Sequence, residues 1–84
     1  MNSLKKAVIT GATSGIGFAL ARALASSGRE VLAIGRNAEQ LALLAKEPAI
    51  TTLCADIREN EEIIPDILAF SPDILVNNAG VGHG

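Results

Sequence analysis

Apolar residues in this chain fall into short clusters that switch between two spacings. Ala7, Val8 and Ile9 make an unbroken apolar run that reaches Thr10 and Gly11, which predicts a buried strand over residues 7–10. Ile16, Leu20, Ala23 and Leu24 then recur at helical spacing, which predicts a helix over residues 16–27 with that stripe inward and Gly28 as its left-handed cap. A second apolar run predicts a strand over residues 31–34. Asn37 follows as an N-cap, with Gln40 three positions later in capping-box register. Leu41, Leu44 and Ala45 form the expected inner face of this second helix, which Pro48 ends. Residues 50–54, rich in β-branched side chains, predict a third strand. A third helix is expected within residues 61–70, with Ile63, Ile64, Ile67 and Leu68 inward. Pro65 fits only its first turn, so the ordered helix should begin around Ile64. Ser71, Pro72 and Asp73 read as a turn, and residues 74–77 as a fourth strand.

This βαβαβαβ alternation predicts an α/β fold built on a parallel sheet with right-handed crossovers. The expected strand order is 3-2-1-4. The order reverses direction between strands 1 and 4, which opens a crevice at their C-terminal ends. Right-handed crossovers also put the first two helices on one sheet face and the third alone on the other. No internal repeat, linker or low-complexity tract interrupts the pattern.

Composition narrows the classes. The 84 residues allow one small domain, and with 49% apolar and 19% charged residues the chain is not a disordered one. A net charge of −2 gives no electrostatic footprint for nucleic acid or an anionic membrane. Lys5 and Lys6 are followed by too short an apolar run for a secretory signal, and no run is long enough to span a bilayer. Cys54 is the single cysteine, so no internal disulfide can form. Its apolar setting reads as that of a buried small hydrophobe. These features favour the cytoplasm. With one Cys, one His and no ligand-like cluster, a metal site is not expected.

The chemistry gathers at Thr10-Gly11-Ala12-Thr13-Ser14-Gly15-Ile16-Gly17. A strand, a glycine-rich turn and a helix make a pyrophosphate site: the glycines permit a tight turn and close approach, and the helix N-terminus offers N–H groups and partial positive charge. No Gly-Lys-Ser/Thr follows, which disfavours a mononucleotide P-loop. Asn77 to Gly80 should reach the same crevice. The end of the second strand discriminates further. An acid there would accept hydrogen bonds from a ribose 2′-hydroxyl, but the chain has Gly35 followed by Arg36. A guanidinium attracts a 2′-phosphate and can bond two of its oxygens. The expectation is NADP in preference to NAD, with Ser14 and Asn37 as secondary contacts; the other reading of Arg36 is a solvated loop arginine. Lys5, Lys6 and Arg22 read as solvated surface, and Glu59, Glu61 and Glu62 as residues near a helix N-terminus. His83 could approach the nicotinamide side, although a lone loop histidine is more often incidental.

At these residues the chain resembles the short-chain dehydrogenases/reductases. The resemblance rests on the Thr-Gly-x-x-x-Gly-x-Gly spacing, on Asn77-Asn78-Ala79-Gly80 and on Ala55-Asp56-Ile57, in the family's order and across essentially the whole chain. It implies a Rossmann-type, three-layer cofactor-binding part. It further implies that Gly11, Gly15 and Gly17 line the pyrophosphate turn. Thr13, Ser14 and Ile16 would touch the adenosine and phosphate side. Asp56, with Ile57 beside it, would bond the adenine amino group, and Asn78, Ala79 and Gly80 would border the ribose nearest the nicotinamide. Asp56 can also be read as a helix N-cap, and the Asn pair as a turn element. The separation of Asp56 from Asn77 is short for the family, which implies a trimmed third helix.

Family members reduce carbonyls or oxidise alcohols by hydride transfer, using a Tyr and a Lys four residues later, helped by a Ser and a further Asn. Residues 1–84 contain no Tyr. They are therefore expected to be the incomplete N-terminal cofactor-binding part of a longer reductase, inactive by themselves, with a small carbonyl or alcohol as the parent's substrate. A non-catalytic dinucleotide-binding half-fold and a truncated product are the other readings. The resemblance implies a homodimer or homotetramer, or pairing with a complementary fragment. Alone, these residues should leave one sheet face largely bare and should need a partner to remain soluble.

Overall fold

The computed structural model describes residues 5–13, 15–55 and 64–77. Within them the chain runs β1 (Lys6–Thr10), α1 (Gly15–Ser26), β2 (Glu30–Gly35), α2 (Ala38–Leu44), β3 (Ile50–Cys54), α3 (Ile64–Phe70) and β4 (Ile74–Asn77). The four strands are parallel and lie in the order β3-β2-β1-β4, as the alternation predicts. The register sets Thr10 between Ile34 and Asn77, and Gly35 opposite Cys54, so the strand ends meet along one edge.

The inner strands are buried on both faces, which explains their unbroken apolar runs. Ile9, Val31, Ala33 and Ile50 share one face with Ala21 of α1 and with Leu41 and Leu44 of α2. Val8, Leu32 and Ile34 form the other, covered by Ile67 and Phe70 of α3 and by Leu53. The result is the expected three-layer arrangement, with two helices on one side and one on the other.

Some expected inward positions point out. In α1 the buried residues are Gly17 and Ala21, with Phe18, Leu20, Leu24 and Ala25 packed beside them; Ile16 is 76% exposed and Ala23 is exposed. The inner face is thus turned by about one residue from the stripe that the large side chains suggest. Small residues at i and i+4 have no bulk to hold the axis away, so the helix settles on them. Ala45 is exposed because α2 stops one residue earlier and Ala45 serves as its C-cap. In α3, Ile67 packs inward while Ile64 and Leu68 are exposed, since so short a helix presents a single narrow stripe. Ile63 lies outside the described residues. Pro65 stands in the first turn of α3, where no intrahelical acceptor awaits its missing N–H.

Asp73 locks the opposite end of the sheet. Its carboxylate accepts from the backbone N–H groups of Lys5 (2.9 Å) and Lys6 (3.0 Å), and its own N–H donates to the Lys6 carbonyl at 2.8 Å. Lys6 is half-buried rather than fully solvated, with its ammonium 5.3 Å from the Phe70 ring centroid.

Candidate functional site

The site forms where the C-terminal ends of β1, β2 and β4 converge. Gly11 leaves β1 with φ of 65°, a left-handed conformation that favours glycine. The next residue, Ala12, is buried and donates its N–H to the Ile34 carbonyl at 2.9 Å, which draws the turn across the end of β2. Thr13 then lies against Gly35. Gly15 begins α1; a Cβ built on it meets nothing within 4 Å, so the backbone at the helix N-terminus is open to close approach. The first turn of α1 carries no acid to repel an anion there. Gly17 is buried against the sheet and lets the helix approach it.

On the β1–β4 side, Thr10 is buried, and its hydroxyl donates to Asn77 Oδ1 at 3.0 Å, with the Val76 carbonyl 3.4 Å away. This bond fixes the first Asn of the Asn77-Asn78-Ala79-Gly80 segment to the end of the strand that carries the glycine turn. The apolar pattern does not mark Thr10 as anything beyond the end of a strand; its place directly before Gly11 was the available signal.

On the β2–β3 side, Arg36 is exposed and follows Gly35 directly. Its carbonyl accepts from the Cys54 thiol at 3.7 Å. Cys54 is exposed, contrary to the expectation of a buried hydrophobe, because it is the last residue of a strand at the edge of the sheet. Asn37 is the N-cap of α2: its Oδ1 accepts from the Gln40 N–H at 3.1 Å, so that oxygen serves the helix.

Gly11, Thr13, Gly15, Ile16 and Arg36 therefore lie at the C-terminal end of the sheet, with Gly17 buried. Ser14, Asp56, Ile57, Asn78, Ala79, Gly80 and His83 lie outside the described residues, as do Glu59, Glu61 and Glu62. Among the described residues no His, Cys, Asp and Glu cluster could hold a metal ion, and no helix is long and apolar enough to cross a membrane. A tight turn and an open glycine at an acid-free helix N-terminus suit an anionic group such as a pyrophosphate in charge.

Comparison with known proteins agrees with this geometry. Residues 5–84 match the family model for short chain dehydrogenase. An uncharacterized short-chain type dehydrogenase/reductase of Sinorhizobium fredii is 42% identical over 81 residues, which cover 96% of this chain and 33% of the relative. The crystal structure of L-sorbose reductase from Gluconobacter frateurii, complexed with NADPH and L-sorbose, superposes with a TM-score of 0.76 at 31% identity, over 94% of this chain and 34% of that one. That of 3-ketoacyl-(acyl-carrier-protein) reductase from Brucella melitensis, complexed with NADH, gives 0.73 at 32% identity, over 84% and 32%. The chain spans about a third of the length of the curated relatives it matches.

Proposed function

The chain belongs to the short-chain dehydrogenase/reductase family, and on that premise we propose that it is the N-terminal cofactor-binding part of an NADP-dependent oxidoreductase that reduces a carbonyl or oxidises an alcohol. The observation that carries the cofactor choice is the pairing of Gly35 with Arg36 at the end of β2. No carboxylate stands there to accept from a ribose 2′-hydroxyl or to repel a 2′-phosphate. Arg36 is exposed and stands one residue beyond the strand, where a guanidinium can meet a 2′-phosphate. Solved relatives include ones that hold NADPH and one that holds NADH, so the family by itself does not choose.

In this reading Gly11, Gly15 and Gly17 shape the turn against the pyrophosphate, with the N–H groups opening α1 as its donors. Thr13, Ser14 and Ile16 flank the adenosine, and Arg36 holds the 2′-phosphate. Asp56 and Ile57 border the adenine, and Asn78, Ala79 and Gly80 the nicotinamide ribose. When bound, the cofactor would donate the hydride as NADPH in carbonyl reduction and accept it as NADP+ in alcohol oxidation. These 84 residues contain no Tyr, so the group that protonates the carbonyl oxygen in the family's mechanism belongs to a part of the protein outside them.

The test is a comparison of dissociation constants for NADPH and NADH on the full chain, by fluorescence titration. The expected result is NADPH tighter by at least about tenfold, as befits one charge-assisted contact. Equal affinity, or tighter NADH, overturns the reading.

A further inference from the structure

Gly35 is glycine for a reason separate from the backbone. Among the described residues the positive-φ glycines are Gly11 and Gly28, and Gly35 is not one of them. It is the last residue of β2, paired with Cys54, and its carbonyl accepts from the Ala55 N–H at 2.8 Å. Any L-residue can adopt that conformation. The obstacle is Thr13. A Cβ at position 35 would lie 2.6 Å from Thr13 Cγ2, 2.9 Å from its Oγ1 and 3.2 Å from its Cβ. Turning the threonine about its χ1 does not clear the space, because a β-branched side chain carries heavy atoms in two of the three staggered positions and its own Cβ stays close. Moving the turn away is opposed by the Ala12 N–H bond to the Ile34 carbonyl.

We propose that Thr13 and Gly35 form a coupled steric pair that determines which dinucleotide the crevice accepts. Thr13 fills the space from which a carboxylate at position 35 would have to start. The end of β2 is thereby closed to the acid that reads a free ribose 2′-hydroxyl, and discrimination passes to Arg36, one residue outside the contact. The inference rests on the dinucleotide reading above and deepens it: two residues on different elements set specificity together, and position 35 cannot be changed alone.

A double-mutant cycle on the full chain tests this, with NADPH and NADH as probes: wild type, Gly35→Asp, Thr13→Ala and the pair. Thr13→Ala removes both atoms that lie under 3.0 Å from the added Cβ. Gly35→Asp alone should weaken both cofactors about tenfold without gaining NADH. Adding Thr13→Ala should raise NADH affinity about tenfold over Gly35→Asp, well beyond what Thr13→Ala does in the wild-type background. If Gly35→Asp alone takes NADH as tightly as the double variant, the proposal is overturned. Should the aspartate variants fail to fold, Gly35→Ala in both backgrounds gives the same answer from melting. The expected result is a Tm loss of about 4 °C or more beside Thr13, largely recovered in the Thr13→Ala background. An equal loss in both backgrounds sinks the coupling. A wild type that does not prefer NADPH, together with intact coupling, instead condemns the NADP reading and leaves the pair standing.

Discussion

Arg36 and Asp73 show how differently single residues act at the two ends of this sheet. Arg36 stands exposed at the C-terminal rim, and its proposed contact is with a ligand. Arg36→Ala should therefore cost NADPH about ten- to a hundredfold in affinity, as loss of a charge-assisted contact does, and leave NADH nearly unchanged. Calorimetric titration with both cofactors checks the split. Asp73 stands at the other end and acts on the fold. The backbone N–H groups of Lys5 and Lys6 hold its carboxyl below the ordinary value of 3.8, with the two lysine charges as a smaller influence. A lowered folded-state value means that the charged form is favoured by folding. The contribution is complete above the unfolded value and is lost as pH falls through the lowered one. Asp73→Asn should thus melt at a lower temperature than wild type at pH 7, with the gap closing on acidification below about pH 4. Melting curves for both proteins at pH 7 and pH 3 decide it; a gap that persists unchanged in acid shows that the carboxylate charge is not the source. Arg36 was legible because a glycine-arginine pair after an apolar run has a chemical meaning in one dimension. Asp73 was not, since its partners lie 67 and 68 residues away and are backbone groups that carry no side-chain signal.

Among the elements, the inner strands and the N-cap of α2 were readable, and the helix faces were not. Residues 31–34 are apolar at every position, which only a strand covered on both sides requires, and β2 is covered on both sides. Asn37 and Gln40 are close in sequence, so local chemistry settles their bond. Asn37→Ala should accordingly destabilise the protein by about 1 kcal/mol, measured by urea denaturation. The face of α1 depends on something local chemistry does not contain, namely how near the axis comes to the sheet. Ile16, Leu20, Ala23 and Leu24 form a coherent stripe by hydropathy, yet Gly17 and Ala21 are the residues of α1 that the sheet buries. Ala21 is fully buried there. Ala21→Leu should overpack the contact and cost about 1–3 kcal/mol, whereas Ala23→Leu, on the exposed side, should be nearly neutral. Equal costs at the two positions would return the inner face of α1 to the stripe of large residues. The same reasoning gives Gly17 its place: without a side chain, a buried residue of α1 lets the helix come close.

At the scale of the whole molecule the two sheet faces are unequally covered. α1 and α2 close one side over Ile9, Val31, Ala33 and Ile50, while the short α3 covers only part of the other. On that side Leu75 of β4 is 59% exposed and Leu68 of α3 is 69% exposed. Among the described residues β4 pairs with β1 alone, so its outer edge presents backbone donors and acceptors beside apolar side chains. In the relatives, about two-thirds of the length lies outside the stretch that this chain matches. Residues 1–84 prepared by themselves should therefore associate through the β4 edge and the α3 face. Leu75→Lys, which puts a charge on that edge, should shift them toward monomer. Light scattering after size exclusion, over a range of concentrations, reads the outcome directly. A monodisperse monomer of residues 1–84 that melts cooperatively would show that one closed face and one part-covered face suffice for stability. The edge strand would then be protected by something other than an added strand. Association that Leu75→Lys leaves untouched would move the contact away from β4, to the apolar surface of α3 around Ile64 and Leu68.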